Sequence, residues 1–176
     1  MKKIVFLALL LAVKSAFAQY KPMGEQSQVK FKIQNFGFDV LGGFTNLQGA
    51  IHFDPQNVLK DSFDVFVDAN TINTDNSMRD SHLKEAEYFD VKNYPRIHFV
   101  STSVKQTTKK GVYLMTGVLT IKAKSKNISF PFVATPSNNS VVFKATFKIN
   151  RKDFDVGGFS TISDELEVLL NIVARK

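Results

Sequence analysis

Cysteine and tryptophan are both absent from the 176 residues. Without a thiol there is no disulfide, no thiolate nucleophile or thiolate metal site, and no residue to carry a lipoprotein's acyl anchor. Stability must therefore come from an apolar core. Histidine is scarce: His52, His82 and His98 make the full set, and they fall in no zinc-ligand spacing. No serine stands in a Gly-x-Ser-x-Gly elbow, and no helix pattern follows Gly42-Gly43 or Gly157-Gly158 to make either a phosphate loop. The sequence thus offers no catalytic constellation, no metal site and no cofactor motif. Dense basic clusters are missing as well. Lys105, Lys109 and Lys110 flank a hairpin, while Lys122, Lys124 and Lys126 alternate. Both patterns read as solvated faces rather than a nucleic-acid surface.

Long apolar runs are also lacking. The longest, Ile4 to Val13, is too short to span a bilayer as a helix. It follows Lys2 and Lys3 and precedes Ala16-Phe17-Ala18, the three-part order of an export signal. Lys14 is an unusual charge for such a segment. The expected division is a signal peptide over 1–18 and one domain over 19–176, in the periplasm or secreted. Lys2, Lys3 and Lys14 belong to the leader, so the formal charge of +7 falls to +4 for residues 19–176. That balance favours transient contact with an anionic membrane surface only mildly, and it leaves a homodimer open.

Phenylalanine is abundant, with 17 copies. Many of them sit in alternating runs. Val29-Lys30-Phe31-Lys32-Ile33 is one; Val141 to Ile149 is another, with Val141, Phe143, Ala145, Phe147 and Ile149 on one face and Lys144, Thr146 and Lys148 on the other. Such alternation predicts strands with one wet and one dry face. Eight strands are expected, near 28–34, 44–53, 62–70, 95–104, 112–122, 127–134, 140–150 and 163–174. Gly42-Gly43, Asp54-Pro55-Gln56-Asn57, Lys109-Lys110-Gly111 and Ser137-Asn138-Asn139 separate them as turns. Residues 75–93 lack the rhythm. Within them 81–88 reads as a short helix capped by Ser81, lying across a barrel mouth. The fold class is all-β: one eight-stranded antiparallel barrel, closed so that no sheet edge stays exposed. Such a barrel holds either packed side chains or one small ligand, and alternation alone does not choose between them.

The order of several short segments resembles the YceI-like family of lipocalin-like, exported isoprenoid-binding proteins. The segments include Gly43-Phe44-Thr45-Asn46-Leu47-Gln48-Gly49, Arg79-Asp80-Ser81-His82-Leu83, Tyr94-Pro95-Arg96-Ile97-His98-Phe99, Gly117-Val118-Leu119-Thr120-Ile121 and Asn150-Arg151-Lys152-Asp153-Phe154. Lys122-Ala123-Lys124-Ser125-Lys126 departs from that pattern, which usually carries Gly near Ala123 and Thr near Ser125. The resemblance implies an apolar tunnel inside the barrel. It also implies a long-chain partner such as a polyisoprenoid, quinone, prenyl phosphate or related lipid or amide, bound without turnover.

Strand alternation places Val29, Phe31, Ile33, Phe44, Ile51, Phe53, Val65, Phe99, Phe143, Phe147, Val168 and Leu170 on the inward face. There they line the tunnel or close a solid core. Arg79, His82 and Arg151 are the candidates for a polar head group, because a guanidinium holds oxygens with a fork of donors. The bland alternatives are local: Arg79 paired with Asp80 or Asp75, Arg151 with Asp153, and His82 bonded to backbone. Two rivals share the pattern. A small outer-membrane barrel also alternates, with the apolar face outward. A calycin-like enzyme acting on an isoprenoid would need a polar cluster deep inside.

Overall fold

A computed structural model describes residues 19–158 and 161–176. The expected signal peptide therefore lies outside the described residues. Ten strands form one antiparallel sheet. They are β1 (Gln19–Pro22), β2 (Gln28–Asn35), β3 (Phe38–Phe44), β4 (Gln48–His52), β5 (Ser62–Asp68), β6 (Arg96–Gln106), β7 (Val112–Ile121), β8 (Lys124–Pro136), β9 (Ser140–Asn150) and β10 (Ile162–Arg175). The sheet runs β1-β4-β5-β6-β7-β8-β9-β10 and closes where β1 pairs back onto β10, which gives an eight-stranded ring. The β2–β3 hairpin joins the same wall. β10 is long enough to pair with β1 through Arg175 and Ala174 and with β2 from Asn171 to Ile162.

Ten strands replace eight because β1 and β3 join the eight expected ones. The expected 44–53 strand is interrupted at 45–47, where Asn46 takes a left-handed φ of 58°. Gly42-Gly43, expected as a turn, lies inside β3, paired with Phe31 and Lys30. The true turn is Phe36-Gly37. β1 adds a short closing strand. The strand expected over 127–134 starts earlier, at Lys124, and meets β7 in a tight hairpin with Lys122 at φ 53°.

The helix is α1 (Ser77–Leu83), not 81–88. Its cap is Asn76, whose Oδ1 accepts from Arg79 N at 3.0 Å. Ser81 instead donates to Ser77 O, 2.9 Å away inside the helix. Asn76 wins because a cap must sit outside the helix to reach the freed N–H groups of the first turn.

The larger core is aromatic and thickest at one end of the barrel, and a smaller buried cluster of Ile121, Phe154 and Val156 packs with Tyr88, Phe89 and Ile149. Phe53 packs edge-on against Tyr113 at 5.3 Å and against Phe143 at 5.2 Å between centroids. Phe63 meets Phe143 at 5.2 Å in the same way. Tilted and edge-to-face packing suits the ring quadrupoles. Phe53, Phe63, Tyr113, Phe132 and Phe143 are all buried, so this end is plugged. The outward positions carry charge: Lys32 pairs with Glu167 at 3.3 Å and Lys148 with Glu165 at 2.6 Å. A wet outside and an apolar inside is the reverse of a bilayer-spanning barrel.

Candidate ligand-binding tunnel

Beyond the aromatic plug the barrel does not fill. A cavity of about 270 Å³ runs from Ile51, Phe63 and Phe132 toward Asn35, Val40, Ile149 and Ile162 at the opposite end. Its wall is almost wholly apolar. The burial pattern follows the void. Inward residues at the plug are buried, whereas Phe31, Ile33, Val65, Phe99, Phe147 and Val168 point inward yet keep partial accessibility. An inward apolar residue retains surface only if it faces empty space.

Glycine makes room for the wall's largest groups. A Cβ at Gly117 would collide with the Phe99 ring, and one at Gly42 with Phe31. Phe130 and Phe147 stack at 4.0 Å, 10° from parallel, and present a flat panel. Phe44 joins Phe31 at 6.1 Å to Phe89 at 5.5 Å, which carries the aromatic wall from the sheet onto the segment after α1. Leu83, Tyr88 and Phe89 complete that side.

Most of the residues expected on the inner face meet here. Val29, Phe31, Ile33, Phe44, Ile51, Val65, Phe99, Phe143, Phe147, Val168 and Leu170 all line the cavity. Phe53 does not. It lies in the plug, because β4 ends there and its ring is enclosed by Tyr113, Phe132 and Phe143. His82 is also outside the lining: it is exposed on α1, its ring 5.0 Å from Tyr88. Sequence reasoning misses Leu83, Tyr88, Phe89, Phe154 and Val156, which line the cavity from outside the strands, where period-2 alternation carries no signal, and also Met115, Phe130 and Phe132 on β7 and β8.

The two arginines line the cavity near its open end, each held by its own network. Arg79 donates from Nε to Thr74 Oγ1 at 2.8 Å and from Nη2 to Thr74 O at 2.7 Å. Thr74 Oγ1 in turn donates to Asp80 Oδ1 at 2.5 Å. Arg79 thus reaches Asp80 only through Thr74. Arg151 is 5 % exposed. Its ion pair is with Asp164 at 2.8 Å, not with Asp153, which bonds Lys126 at 3.6 Å. Arg151 also donates to the carbonyls of Val156 at 2.9 Å, Gly157 at 3.0 Å, Ser163 at 3.1 Å and Ile162 at 3.2 Å. It ties Val156 and Gly157 to Ile162 and Ser163 at the foot of β10 and so fixes one side of the mouth.

Among the described residues no three His, Asp or Glu side chains gather to hold a metal ion. His52, His98 and His82 sit on β4, β6 and α1. His98 Nε2 meets Asp64 Oδ1 at 2.7 Å on the outer surface.

The YceI-like domain matches residues 20–174, nearly the whole described barrel. The chain belongs to the YceI-like domain family. Protein YceI of Salmonella agona is 32% identical over 95% of this chain and 92% of its own. Among solved structures, YceI-like architecture recurs in Campylobacter jejuni YCEI, with a TM-score of 0.69, 27% identity and coverage of 77% of this chain and 84% of that one. Burkholderia cenocepacia BcnA superposes with a TM-score of 0.80 at 24% identity, over 85% of this chain and 96% of that one. A domain from Saccharophagus degradans described as polyisoprenoid binding superposes with a TM-score of 0.74 at 12% identity, over 89% and 97% of the two chains. At those last two identities the likeness establishes the shared YceI-like fold.

Proposed function

We propose that this protein binds, and stores or carries, a single long apolar chain in its barrel tunnel without chemically altering it, in the periplasm or outside the cell. The observation that carries the reading is the unfilled, apolar tunnel inside a closed barrel. An empty cavity of this kind forfeits dispersion contacts along its wall. A hydrocarbon chain restores them and gains about 25 cal/mol per Å² removed from water. A polar ligand would lose its hydrogen bonds to water there and find almost no partners.

The dimensions narrow the ligand class. About 270 Å³ lies just below the roughly 300–1,000 Å³ of common small-molecule sites. A slender, flexible chain fits better than a wide fused ring system. The flat panel of Phe130 and Phe147 and the branched wall of Val65, Val168 and Leu170 suit the planar double bonds and methyl branches of a polyisoprenoid. A prenyl tail with a quinone or phosphate head is the preferred form. Arg79, fixed by Thr74, offers its guanidinium to the head group's oxygens. The description of the Saccharophagus domain as polyisoprenoid binding supports the same class.

The direct test is organic extraction of protein purified from its own envelope fraction, followed by mass spectrometry and titration with prenyl alcohol and prenyl phosphate. A stoichiometric long-chain lipid recovered unchanged is the expected result. Arg79→Ala should weaken prenyl phosphate and leave prenyl alcohol unaffected. Repeated absence of lipid together with no uptake of either probe overturns the proposal.

A further inference from the structure

The β2–β3 hairpin carries an apolar feature that the tunnel does not use. Phe36, Phe38 and Leu41 are 73%, 77% and 64% exposed. None lines the cavity. The turn is Phe36-Gly37, with φ of 51° and 82° and Asn35 paired with Phe38. Two left-handed central residues define the tight hairpin turn that strongly favours Asn-Gly or Asp-Gly. A bulky side chain in a left-handed conformation is rare, and such positions cluster at functional sites. Folding alone would place Asn at position 36. Here a phenylalanine occupies it and projects into water.

The hairpin also stands where a lipid must pass. Asn35 and Val40, one on each side of the turn, line the open end of the cavity. Phe38 shares the inward face of β3 with Val40 and Phe44, because side chains two apart lie on one face. From the tunnel wall toward the tip this face of β3 carries Val40 and then Phe38, with Asn35 opposite Phe38 on β2. β3 is the last strand in the sheet order, so this lip is free of a further strand on that side.

We propose that the β2–β3 tip is a membrane-docking wedge: Phe36 and Phe38 at the turn, with Leu41 on the hairpin's opposite, outward face beside Lys32, insert among lipid acyl chains and hold the tunnel mouth against a bilayer. The inference rests on the tunnel reading for its purpose, not for its geometry. A second copy of the chain is the poorer occupant. Three side chains bury on the order of 500 Å², below the roughly 800 Å² per partner of a stable interface. The tip is also a convex turn, whereas a fluid bilayer needs no complementary shape. Asp39 lies within the tip, between Phe38 and Val40. Attachment is consequently apolar and persists on neutral lipid and at high salt.

The test uses the double substitution Phe36→Asn and Phe38→Thr. The first installs the preferred Asn-Gly turn and the second keeps a strand former, so the variant folds. Partition onto phosphatidylcholine vesicles is measured by flotation in low and high salt, beside binding of detergent-delivered geranylgeraniol in the absence of vesicles. The expected result is vesicle partition weakened about tenfold or more at both salt concentrations, with geranylgeraniol binding unchanged. Equal partition of the two proteins, or no partition by the parent, overturns the proposal. So does a parent dimer that the substitutions dissolve without changing partition, since the occupant would then be a second copy. If neither protein binds geranylgeraniol but partition still differs, the wedge stands and the tunnel reading fails.

Discussion

Asp61 sits beside the plugged end, just after a short 3₁₀ turn over Val58–Lys60. Its Oδ1 accepts from Asp54 N at 2.8 Å, and its Oδ2 is buried with no hydrogen-bond partner. Burial, with Asp54 nearby adding like charge, pushes its carboxyl up from 3.8 to about 6. The folded state therefore holds the proton more tightly than the unfolded chain. Its contribution is full below about pH 4 and lost as pH rises through about 6. Because the group is only half-buried, solvent screening reduces the effect at neutral pH to about 1 kcal/mol. Asp61→Asn keeps the acceptor and removes the ionisation. It should raise Tm by about 2–4 °C at pH 7 and leave it unchanged at pH 3.5. Scanning calorimetry across that range decides the matter; parallel Tm curves for the two proteins would remove Asp61 as the cause. Arg151 acts in the opposite sense. Its guanidinium satisfies carbonyls of Val156, Gly157, Ile162 and Ser163 that have little access to water. Arg151→Ala should cost about 3 kcal/mol in urea unfolding. Arg151→Lys should recover little, since a point charge cannot span four carbonyls. A loss below about 1 kcal/mol would mean that the mouth is held otherwise.

At the scale of elements, what is legible in the sequence follows from period. β2, β9 and the run of β10 from Leu166 alternate, and β5 does so with one lapse at Phe66, so alternation assigns their inward faces, whereas in β6 a bulge between Ser101 and Ser103 moves the buried face from Ile97 and Phe99 to Val104. β3 resists the same treatment. Phe38-Asp39-Val40-Leu41-Gly42-Gly43-Phe44 ends in a glycine pair that looks like a turn, while the real turn begins with phenylalanine. β1 spans four residues, too few to show a period. Helix α1 begins earlier than its sequence suggests, because Ser77-Met78-Arg79-Asp80 carries no apolar stripe and its position is fixed by the Asn76 cap. The site divides the same way. Its residues on β2, β5, β9 and β10 are accessible from alternation, whereas Met115, Phe130 and Phe132 on β7 and β8, and Leu83, Tyr88 and Phe89 around α1, are not. β1 nevertheless completes the ring. It pairs Lys21 with Arg175 and Tyr20 with Ile51, and Tyr20 is 6% exposed. Deleting residues 19–22 leaves β4 and the end of β10 as open edges and unburies an aromatic ring. Losing about 2 kcal/mol of ring burial should lower Tm by about 4–8 °C, and the open edges should produce oligomers on light-scattering chromatography. A monomeric product with unchanged Tm would show that the ring closes without β1.

For the whole molecule the plug and the tunnel divide one interior between stability and binding. The plug contains the tightly packed aromatic rings, and the tunnel wall is held open by strands whose outer faces are charged. Ligand must then act as a missing piece of core. Anything that binds the native state alone stabilises it by RT ln(1 + [L]/Kd), about 2.7 kcal/mol at a hundredfold excess over Kd. For a chain of this size that corresponds to a rise in Tm of about 5–11 °C. Ala145 lines the tunnel on β9, opposite Phe132 on β8 and Leu170 on β10. Ala145→Phe puts a ring into the void that the ligand would occupy. Filling empty space restores dispersion contacts while crowding neighbours, so the two effects largely offset and Tm without lipid should move by no more than about 3 °C. The response to prenyl alcohol should vanish in the same protein. Loss of the lipid-induced shift with an intact baseline places the ligand in the tunnel. An undiminished shift in Ala145→Phe would place it elsewhere on the molecule.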